Sequence, residues 1–165
     1  MRVRRAGRQL VFLGVLGALV SAYGLYVEHQ KHKHKDGYKA LCDSEYFSCS
    51  KVMTSEYGSL LLYHGLVSKG SLFDVPNALL GIGAYGLFIL YPVLRYLPFH
   101  QHFYVLASIC SLAISAYLAY ILAFVLRDFC LVCVSSYLIN LGLFWNSLQL
   151  TRGPTHRRRH AHKSD

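Results

Sequence analysis

Charged side chains are scarce in this sequence: they make up 15% of the 165 residues, whereas hydrophobic residues make up 54%. A soluble domain of this length needs a larger charged fraction to cover its surface, so the composition argues against a soluble protein. Acidic residues are rarer than basic ones, with eight Asp and Glu against 17 Lys and Arg. The composition therefore indicates one membrane-embedded domain.

Four long stretches of the chain contain no Asp, Glu, Lys or Arg. Each is long enough to cross a hydrocarbon core of roughly 30 Å as a helix. None shows the alternation of polar and apolar residues that barrel strands require, and in lipid the backbone polar groups must be satisfied within a segment. We therefore predict an all-α membrane protein, a bundle of four transmembrane helices. The uncharged stretches are Leu10–Val27, Val75–Leu94, Phe103–Leu126 and Phe129–Leu150.

The sequence also marks where the spans begin and end. Pro76 opens the second span at a position where its missing N–H costs nothing, and Arg95 and Pro98 close that span. Only Arg127 and Asp128 separate the third and fourth spans, so these two helices must be antiparallel neighbours. We predict a single transmembrane domain over residues 1–165, with helices at about 10–28, 75–96, 102–126 and 129–150.

The net charge of +9 is confined to one side of the predicted bundle. Basic residues precede the first span, lie between the second and third, and follow the fourth, whereas the other side balances seven cations against seven anions. The positive-inside rule then places both termini, with basic tails at 1–9 and 151–165, in the cytosol. The long loop between the first and second helices becomes lumenal. Topology and anionic headgroups explain the basic tails, so they do not indicate a nucleic-acid partner.

The first span has an alternative interpretation as a cleavable signal peptide. Arginines precede it, and Val20, Ser21 and Ala22 resemble a cleavage site. Its apolar stretch is longer than a usual signal core. Cleavage would leave the other three spans in the same orientation, so the compartment of the cysteines is the same under either interpretation.

Four of the five cysteines fall on the lumenal side of this topology. Cys42 and Cys49 lie in the long loop, and Cys130 and Cys133 lie at the start of the fourth span. An oxidising compartment permits disulfides between such residues. Cys110 lies inside the third span among apolar neighbours, and we interpret it as a packing residue.

Cys130 and Cys133 form a C-x-x-C pair in the first turn of a helix. The amide hydrogens and the positive dipole end of a helix favour one thiolate there, so the pair indicates redox chemistry. Two alternatives are a structural zinc site and structural disulfides. A structural zinc site usually has a second closely spaced pair of ligands, and Cys42 and Cys49 are too far apart in the sequence to form one. A purely structural role for a Cys130–Cys133 disulfide is also disfavoured, because a disulfide within one helical turn constrains almost nothing. We therefore predict a redox role and no metal.

Polar side chains accompany the C-x-x-C pair. Tyr137 and Asn140 follow Cys133 at spacings of four and three residues, which places them on the same helical face. Asn77, in the first turn of the second span, is predicted at the same depth. An amide and a phenol are able to donate hydrogen bonds to the two carbonyl oxygens of a quinone.

In combination these motifs resemble the vitamin K epoxide reductase family, and the likeness extends from about residue 10 to 150. That resemblance implies a four-helix bundle in the endoplasmic reticulum membrane. It would reduce vitamin K epoxide to the quinone and the quinone to hydroquinone, with a dithiol reductant as electron donor and no tightly bound cofactor. The residues that carry the resemblance are Leu41-Cys42-Asp43, Cys49-Ser50, Asn77, Tyr117-Leu118-Ala119, Asp128 to Cys133, Tyr137 and Asn140.

The resemblance also implies roles for the four lumenal cysteines. Cys133 would face the substrate, and Cys130 would be its disulfide partner. Cys42 and Cys49 would form the second pair, in which Cys49 passes electrons to Cys130. Cys42 would receive those electrons from a thioredoxin-like lumenal protein.

Asn77 and Tyr137 would, by the same resemblance, bind the substrate oxygens. The chain departs from the vertebrate pattern by having one residue fewer between the loop cysteines. It also carries Met53, Leu80 and Ala84 where that pattern has pocket aromatics. Smaller pocket side chains argue against turnover of the epoxide, whereas simple quinone reduction is a less demanding reaction.

Two alternative functions are left open by the sequence. One is a quinone-coupled generator of protein disulfides, because the direction of electron flow depends on the potentials of the partners. The other is a tetraspan scaffold or small channel with structural cysteines. A channel needs a polar lining, and inside the fourth span Asn140 and Asn146 are nearly the only candidates.

Overall fold

The computed structural model describes residues 2–34, 39–43, 49–59 and 76–152, and within these ranges all regular structure is helical. Six α-helices are numbered here in chain order. A 3₁₀ turn at Glu56–Gly58 follows the second helix, and a π-helical turn at Ile121–Leu126 continues the fifth. The helices are α1 (Arg2–Lys33), α2 (Cys49–Met53), α3 (Asn77–Ile89), α4 (Tyr91–Leu94), α5 (His100–Tyr120) and α6 (Leu131–Thr151).

Helix α1 extends beyond the predicted span at both ends, because no proline interrupts it between its terminal basic residues. Its 32 residues measure roughly 48 Å, more than the roughly 30 Å of a hydrocarbon core. Arg4, Arg5 and Arg8 are exposed at one end, and His32 and Lys33 are exposed at the other. Both ends of α1 are therefore long and polar enough to project past a membrane core.

Helix α3 begins immediately after Pro76, whose carbonyl oxygen accepts hydrogen bonds from the N–H groups of Leu79 and Leu80. The apolar segment continues through a turn at Leu90 into α4, which ends before Arg95. Pro76 and Arg95 thus flank this helical segment. The 13 residues of α3 reach only about 20 Å, which is short of a full crossing.

Three helical segments of the described chain are long and apolar enough to cross a membrane: residues 4–33, 100–126 and 131–151. A crossing by α3 and α4 together, which would complete the predicted four spans, stays a prediction. Val75, where that span was expected to begin, and most of the predicted lumenal loop lie outside the described residues. The tail beyond Arg152 lies outside them as well.

The predicted tight reversal between the last two long helices is observed. Arg127 has a φ of 50°, in the left-handed region, and directs the chain away from α5. Cys130 then precedes the first residue of α6 with an extended backbone. Helix α6 packs along α5 on one side and along α1 on the other, while α1 also packs against α3.

Among the described residues, the buried side chains form two clusters. The larger lies between α1, α3, α5 and α6, where Tyr104 donates a hydrogen bond of 2.8 Å to the carbonyl of Leu87 and packs its ring against Phe88. Gly17 permits the close approach of α1 to α3, because a β-carbon there would overlap the ring of Tyr85. The smaller, which we call the cysteine cluster, comprises Val27, Ala40, Cys49, Val52, Leu122, Cys130 and Val132.

Candidate redox site

The C-x-x-C pair lies at the N-terminus of α6, which begins at Leu131, two residues after the predicted start of the helix at residue 129. Cys130 is the N-cap, and its sulfur accepts a hydrogen bond of 3.3 Å from the backbone N–H of Cys133. The thiol of Cys133 also donates to that sulfur, across 2.7 Å. Two donors therefore converge on the Cys130 sulfur, which is the arrangement that stabilises a thiolate.

Cys130 precedes α6 and so lies outside the membrane-length segment. The hydrogen bond from the Cys133 thiol lowers the pKa of Cys130, and complete burial of the side chain opposes this effect without cancelling it. At neutral pH a lowered pKa raises the fraction of Cys130 that carries negative charge. Cys130 is thereby the more nucleophilic of the two sulfurs toward a disulfide.

The loop cysteines form a disulfide. Cys42 and Cys49 are bonded, with their α-carbons 6.0 Å apart, and Cys49 is the first residue of α2. Asp43 fixes the start of this helix, since its carboxylate accepts hydrogen bonds from the Ser50 N–H at 2.9 Å and the Ser50 hydroxyl at 2.5 Å. Burial raises the pKa of Asp43, but these hydrogen bonds outweigh it and hold that pKa below its usual value.

The structure brings one cysteine of each pair into the same cluster. Cys49 and Cys130 are both completely buried in the cysteine cluster, and Cys42 and Cys133 pack against it. An ion pair of 2.6 Å joins Lys51 to Asp128, and each lies two residues from one of the buried cysteines. The short helix α2 is therefore held against the segment that leads into α6.

A metal site is one further possibility for the loop cysteines. The ligand atoms of Cys42, Asp43 and Cys49 lie within 4.8 Å of one another. A cysteine binds a metal as a thiolate, and the disulfide removes both thiolates from use. The arrangement of these residues thus fits a redox disulfide better than a metal centre.

A cavity of about 620 Å³ opens beside the C-x-x-C pair, between α1, α3, α5 and α6. Its size falls in the range of small-molecule sites, and its wall is predominantly apolar. Cys133 lines the cavity, whereas Cys130 does not. Met53, Leu80 and Ala84, which the resemblance placed in the substrate pocket, all line it.

Both predicted substrate-binding residues line the same cavity. Asn77 is fixed from α3, where its amide donates a hydrogen bond of 2.7 Å to the carbonyl of Tyr57. Tyr137 lies one turn after Cys133 on α6. The structure thus places an amide, a phenol and a thiol around one apolar volume.

Among the other polar residues that line the cavity, Asn140 was predicted to lie on this side of α6, whereas Glu28 was not predicted. Asn140, placed by the sequence on the face of Cys133, donates a hydrogen bond of 2.7 Å to the hydroxyl of Ser115 on α5. Glu28 also lines the cavity from α1. A spacing of three and four residues in Ser21, Gly24 and Glu28 is the signal that could have revealed this face of α1.

Cys110 belongs to neither pair. Its side chain is exposed on α5, so it does not pack inside the protein as a buried core residue would. On an apolar membrane-length helix this exposed face is suited to contact with lipid.

The apolar helices and the paired cysteines beside an apolar cavity define a membrane thiol–disulfide oxidoreductase. Comparison with known proteins supports the same class. The family described as the vitamin K epoxide reductase family matches residues 8–148. Vitamin K epoxide reductase complex subunit 1 of Rattus norvegicus is 36% identical over 148 residues, which cover 88% of this chain and 91% of that protein. The protein of the same name from Mus musculus matches with the same identity and coverage.

The chain therefore belongs to the vitamin K epoxide reductase family, and it is an enzyme of the disulfide-dependent oxidoreductase class. The resemblance seen in the sequence is confirmed.

Proposed function

We propose that the protein reduces vitamin K quinone and vitamin K epoxide by a relay of two cysteine pairs. The observation that carries this proposal is the division of the C-x-x-C pair. Cys133 lines the apolar cavity, whereas Cys130 is buried against the cluster that contains Cys49. One sulfur thus faces the substrate volume and the other faces the electron donor.

The electron path begins at the loop disulfide. A thioredoxin-like lumenal protein reduces the Cys42–Cys49 disulfide through Cys42. The Cys49 thiolate then attacks Cys130 of an oxidised C-x-x-C pair, and the resulting mixed disulfide is resolved by Cys42. The loop pair ends as a disulfide and the C-x-x-C pair ends reduced, and the Cys42–Cys49 disulfide of the structure supports this end state.

The second half of the cycle takes place in the cavity. Asn77 and Tyr137 donate hydrogen bonds to the two oxygens of the quinone, and Cys133 lies next to it. Formation of the Cys130–Cys133 disulfide releases two electrons, which together with two protons convert the quinone to hydroquinone. With the epoxide, the same two electrons and protons yield the quinone and one water.

The proposed location is the endoplasmic reticulum membrane, with four spans, cytosolic termini and lumenal cysteines. The separation of charge in the sequence supports this orientation, because the basic residues flank the cytosolic ends. Helices α3 and α4 together form the second span. This arrangement places both cysteine pairs in a compartment where disulfides are maintained.

The test is an assay of the purified protein in detergent with dithiothreitol as reductant. Vitamin K epoxide, vitamin K quinone and ubiquinone are supplied in parallel, and the products are separated by chromatography. We expect reduction of the vitamin K quinone and of its epoxide. Absence of turnover with all three substrates would contradict the proposal, and turnover of ubiquinone alone would favour a quinone-coupled generator of protein disulfides.

A further inference from the structure

Glu28 is the one charged side chain among the described residues that line the cavity. It lies on the same face of α1 as Ser21 and Gly24, which also line the wall. This face meets α2, since a β-carbon at Gly24 would lie 3.0 Å from the terminal methyl carbon of Met53. Glu28 is one turn further along α1, so this residue lies at the α2 side of the cavity.

A half-buried carboxyl group in an apolar wall lowers the stability of the protein unless a partner compensates for its lost hydration. Its presence at such a position therefore calls for a functional reason. Among the described residues Glu28 makes no ion pair, and it takes no part in the cysteine cluster. The structure of the bundle therefore gives no packing reason for an acid at this position. The chemistry of the C-x-x-C pair, whose Cys133 lines the same cavity as Glu28, does give one.

When Cys130 reacts as a thiolate, the C-x-x-C pair holds only one of the two protons that reduction of a quinone requires. Both hydrogen-bond donors around Cys130 point at its sulfur, so the reactive form carries one thiolate at Cys130 and one thiol at Cys133. Reduction of a quinone to hydroquinone consumes two protons. The Cys133 thiol supplies one, and the second must come from another group at the cavity.

We propose that Glu28, as a carboxylic acid, donates the second proton to the quinone; this rests on the proposed quinone reductase function. In the step, the Cys130 and Cys133 sulfurs join as a disulfide and two electrons pass to the quinone. The Cys133 thiol and the Glu28 carboxyl each give one proton, so that hydroquinone and a Glu28 carboxylate result. The net charge is −1 before and after. Glu28 then regains its proton from water.

The other titratable groups around the cavity do not compete for this function. They are phenols and a thiol from the 3₁₀ turn and from α3, α5 and α6, and phenols are far weaker acids than a carboxyl group. Among the described lining residues there is no Lys, Arg or His to neutralise a Glu28 carboxylate. These groups are Tyr57, Tyr85, Tyr117, Cys133 and Tyr137.

The experiment compares Glu28→Gln and Glu28→Asp with the wild type in single turnover. Protein reduced with dithiothreitol is freed of reductant and mixed with vitamin K quinone, and hydroquinone fluorescence is followed over a range of pH. His29→Gln is the matched control, because His29 is the adjacent titratable residue, is exposed, and does not line the cavity. Retention of fold is checked by thermal unfolding of each variant.

We expect Glu28→Gln to slow hydroquinone formation by about 100-fold or more at neutral pH, because a positioned general acid typically contributes about 10²- to 10⁴-fold to the rate. The wild-type rate should fall as pH rises through deprotonation of Glu28, and this decline should vanish in Glu28→Gln. Glu28→Asp should keep the decline and most of the rate, and His29→Gln should match the wild type. The quinone concentration for half-maximal rate should change by less than about twofold.

Three outcomes would overturn the inference. A Glu28→Gln variant as fast as an active wild type would remove Glu28 from the reaction while leaving the reductase function in place. A slower variant with an unchanged pH profile would show a structural effect instead of proton donation. Should Glu28→Gln fail to fold, a Glu28→Asp variant without the alkaline decline would have the same consequence. Absence of turnover in the wild type would instead refute the proposed function itself.

Discussion

At the scale of single residues, the reactive sulfur is set by its two hydrogen-bond donors. The N–H and the thiol of Cys133 both reach the sulfur of Cys130, and the positive end of the α6 dipole adds to their effect. Cys133 remains in contact with the cavity. The short C-x-x-C spacing thus separates two tasks, exchange with a disulfide and contact with the substrate.

Tyr137 is the residue whose single hydroxyl we expect to bind a quinone oxygen. Tyr137→Phe should weaken quinone turnover by about 1 to 3 kcal/mol of binding or transition-state energy, because a buried carbonyl would lose its donor. The free energy of unfolding should change little, since the ring is kept. Kinetics with dithiothreitol and vitamin K quinone measure the first effect, and thermal unfolding measures the second.

Tyr120→Phe is the matched control for this substitution, because Tyr120 is exposed on α5 and does not line the cavity. It should leave the kinetics unchanged. Equal kinetics in Tyr137→Phe and the wild type would remove Tyr137 from the site.

At the scale of elements, the short helix α2 matters for its position, not its length. Five residues contribute little helical stability of their own, so α2 depends on the contacts that surround it. Asp43 fixes its first turn, and Lys51 ties it to the segment before α6. Cys49 is thereby held in the cluster that also contains Cys130.

Loss of the Lys51–Asp128 ion pair should affect the transfer between the two cysteine pairs. The side chain of Lys51 is 68% exposed and that of Asp128 is 19% exposed, so Lys51→Met should cost less than about 1 kcal/mol of stability. We expect turnover driven by a thioredoxin-like protein to fall severalfold, because α2 is less firmly placed. Turnover driven by dithiothreitol should be unchanged.

Lys51→Arg should restore the ion pair and the protein-driven rate. Lys39→Met, at another exposed lysine of the same loop, should have no effect. An equal loss with both reductants in Lys51→Met would indicate damage to the C-x-x-C pair and contradict the proposed position of α2 in the relay.

The two cysteine pairs should also be separable by the choice of reductant. Cys130→Ala or Cys133→Ala should abolish turnover with every reductant, since no disulfide can form beside the substrate. Cys42→Ala or Cys49→Ala should abolish turnover driven by a thioredoxin-like protein and spare turnover driven by dithiothreitol, which reaches Cys130 directly. Turnover with each reductant is the measurement.

Mixed disulfides provide a second measurement of the relay. Cys42→Ala should promote a Cys49–Cys130 disulfide, because Cys49 loses its local partner, and Cys49→Ala should prevent it. Cys110→Ala is the control and should do neither. If all four paired cysteines prove dispensable with both reductants, the relay is wrong and a scaffold with structural cysteines becomes the better interpretation.

At the scale of the whole molecule, the separation of charge predicts the orientation in the membrane. An acceptor site for N-glycosylation introduced near Lys69 should be modified, because the loop is predicted to be lumenal. A site appended after Asp165 should not be modified. Gel mobility before and after removal of glycans measures both. The reverse pattern would place the cysteine pairs in the cytosol and contradict the proposed relay.

Much of the fold follows from the sequence by itself, because its determinants are local. The length of the uncharged apolar stretches predicted the three long helices. Pro76 and Arg95 marked the ends of the segment formed by α3 and α4. The face shared by Cys133, Tyr137 and Asn140 depends only on helical periodicity. For the same reason the close packing of α5 on α6 could be predicted from the short connection between them.

Tertiary structure alone decided which of these faces meet. Cys49 and Cys130 are far apart in the sequence, and only the packing of α2 on the start of α6 buries them in one cluster. Glu28 lines the cavity because α1 turns that face toward α2 and α3. Periodicity specifies which residues share a face, whereas the neighbour of that face depends on long-range contacts between helices, which no local pattern encodes.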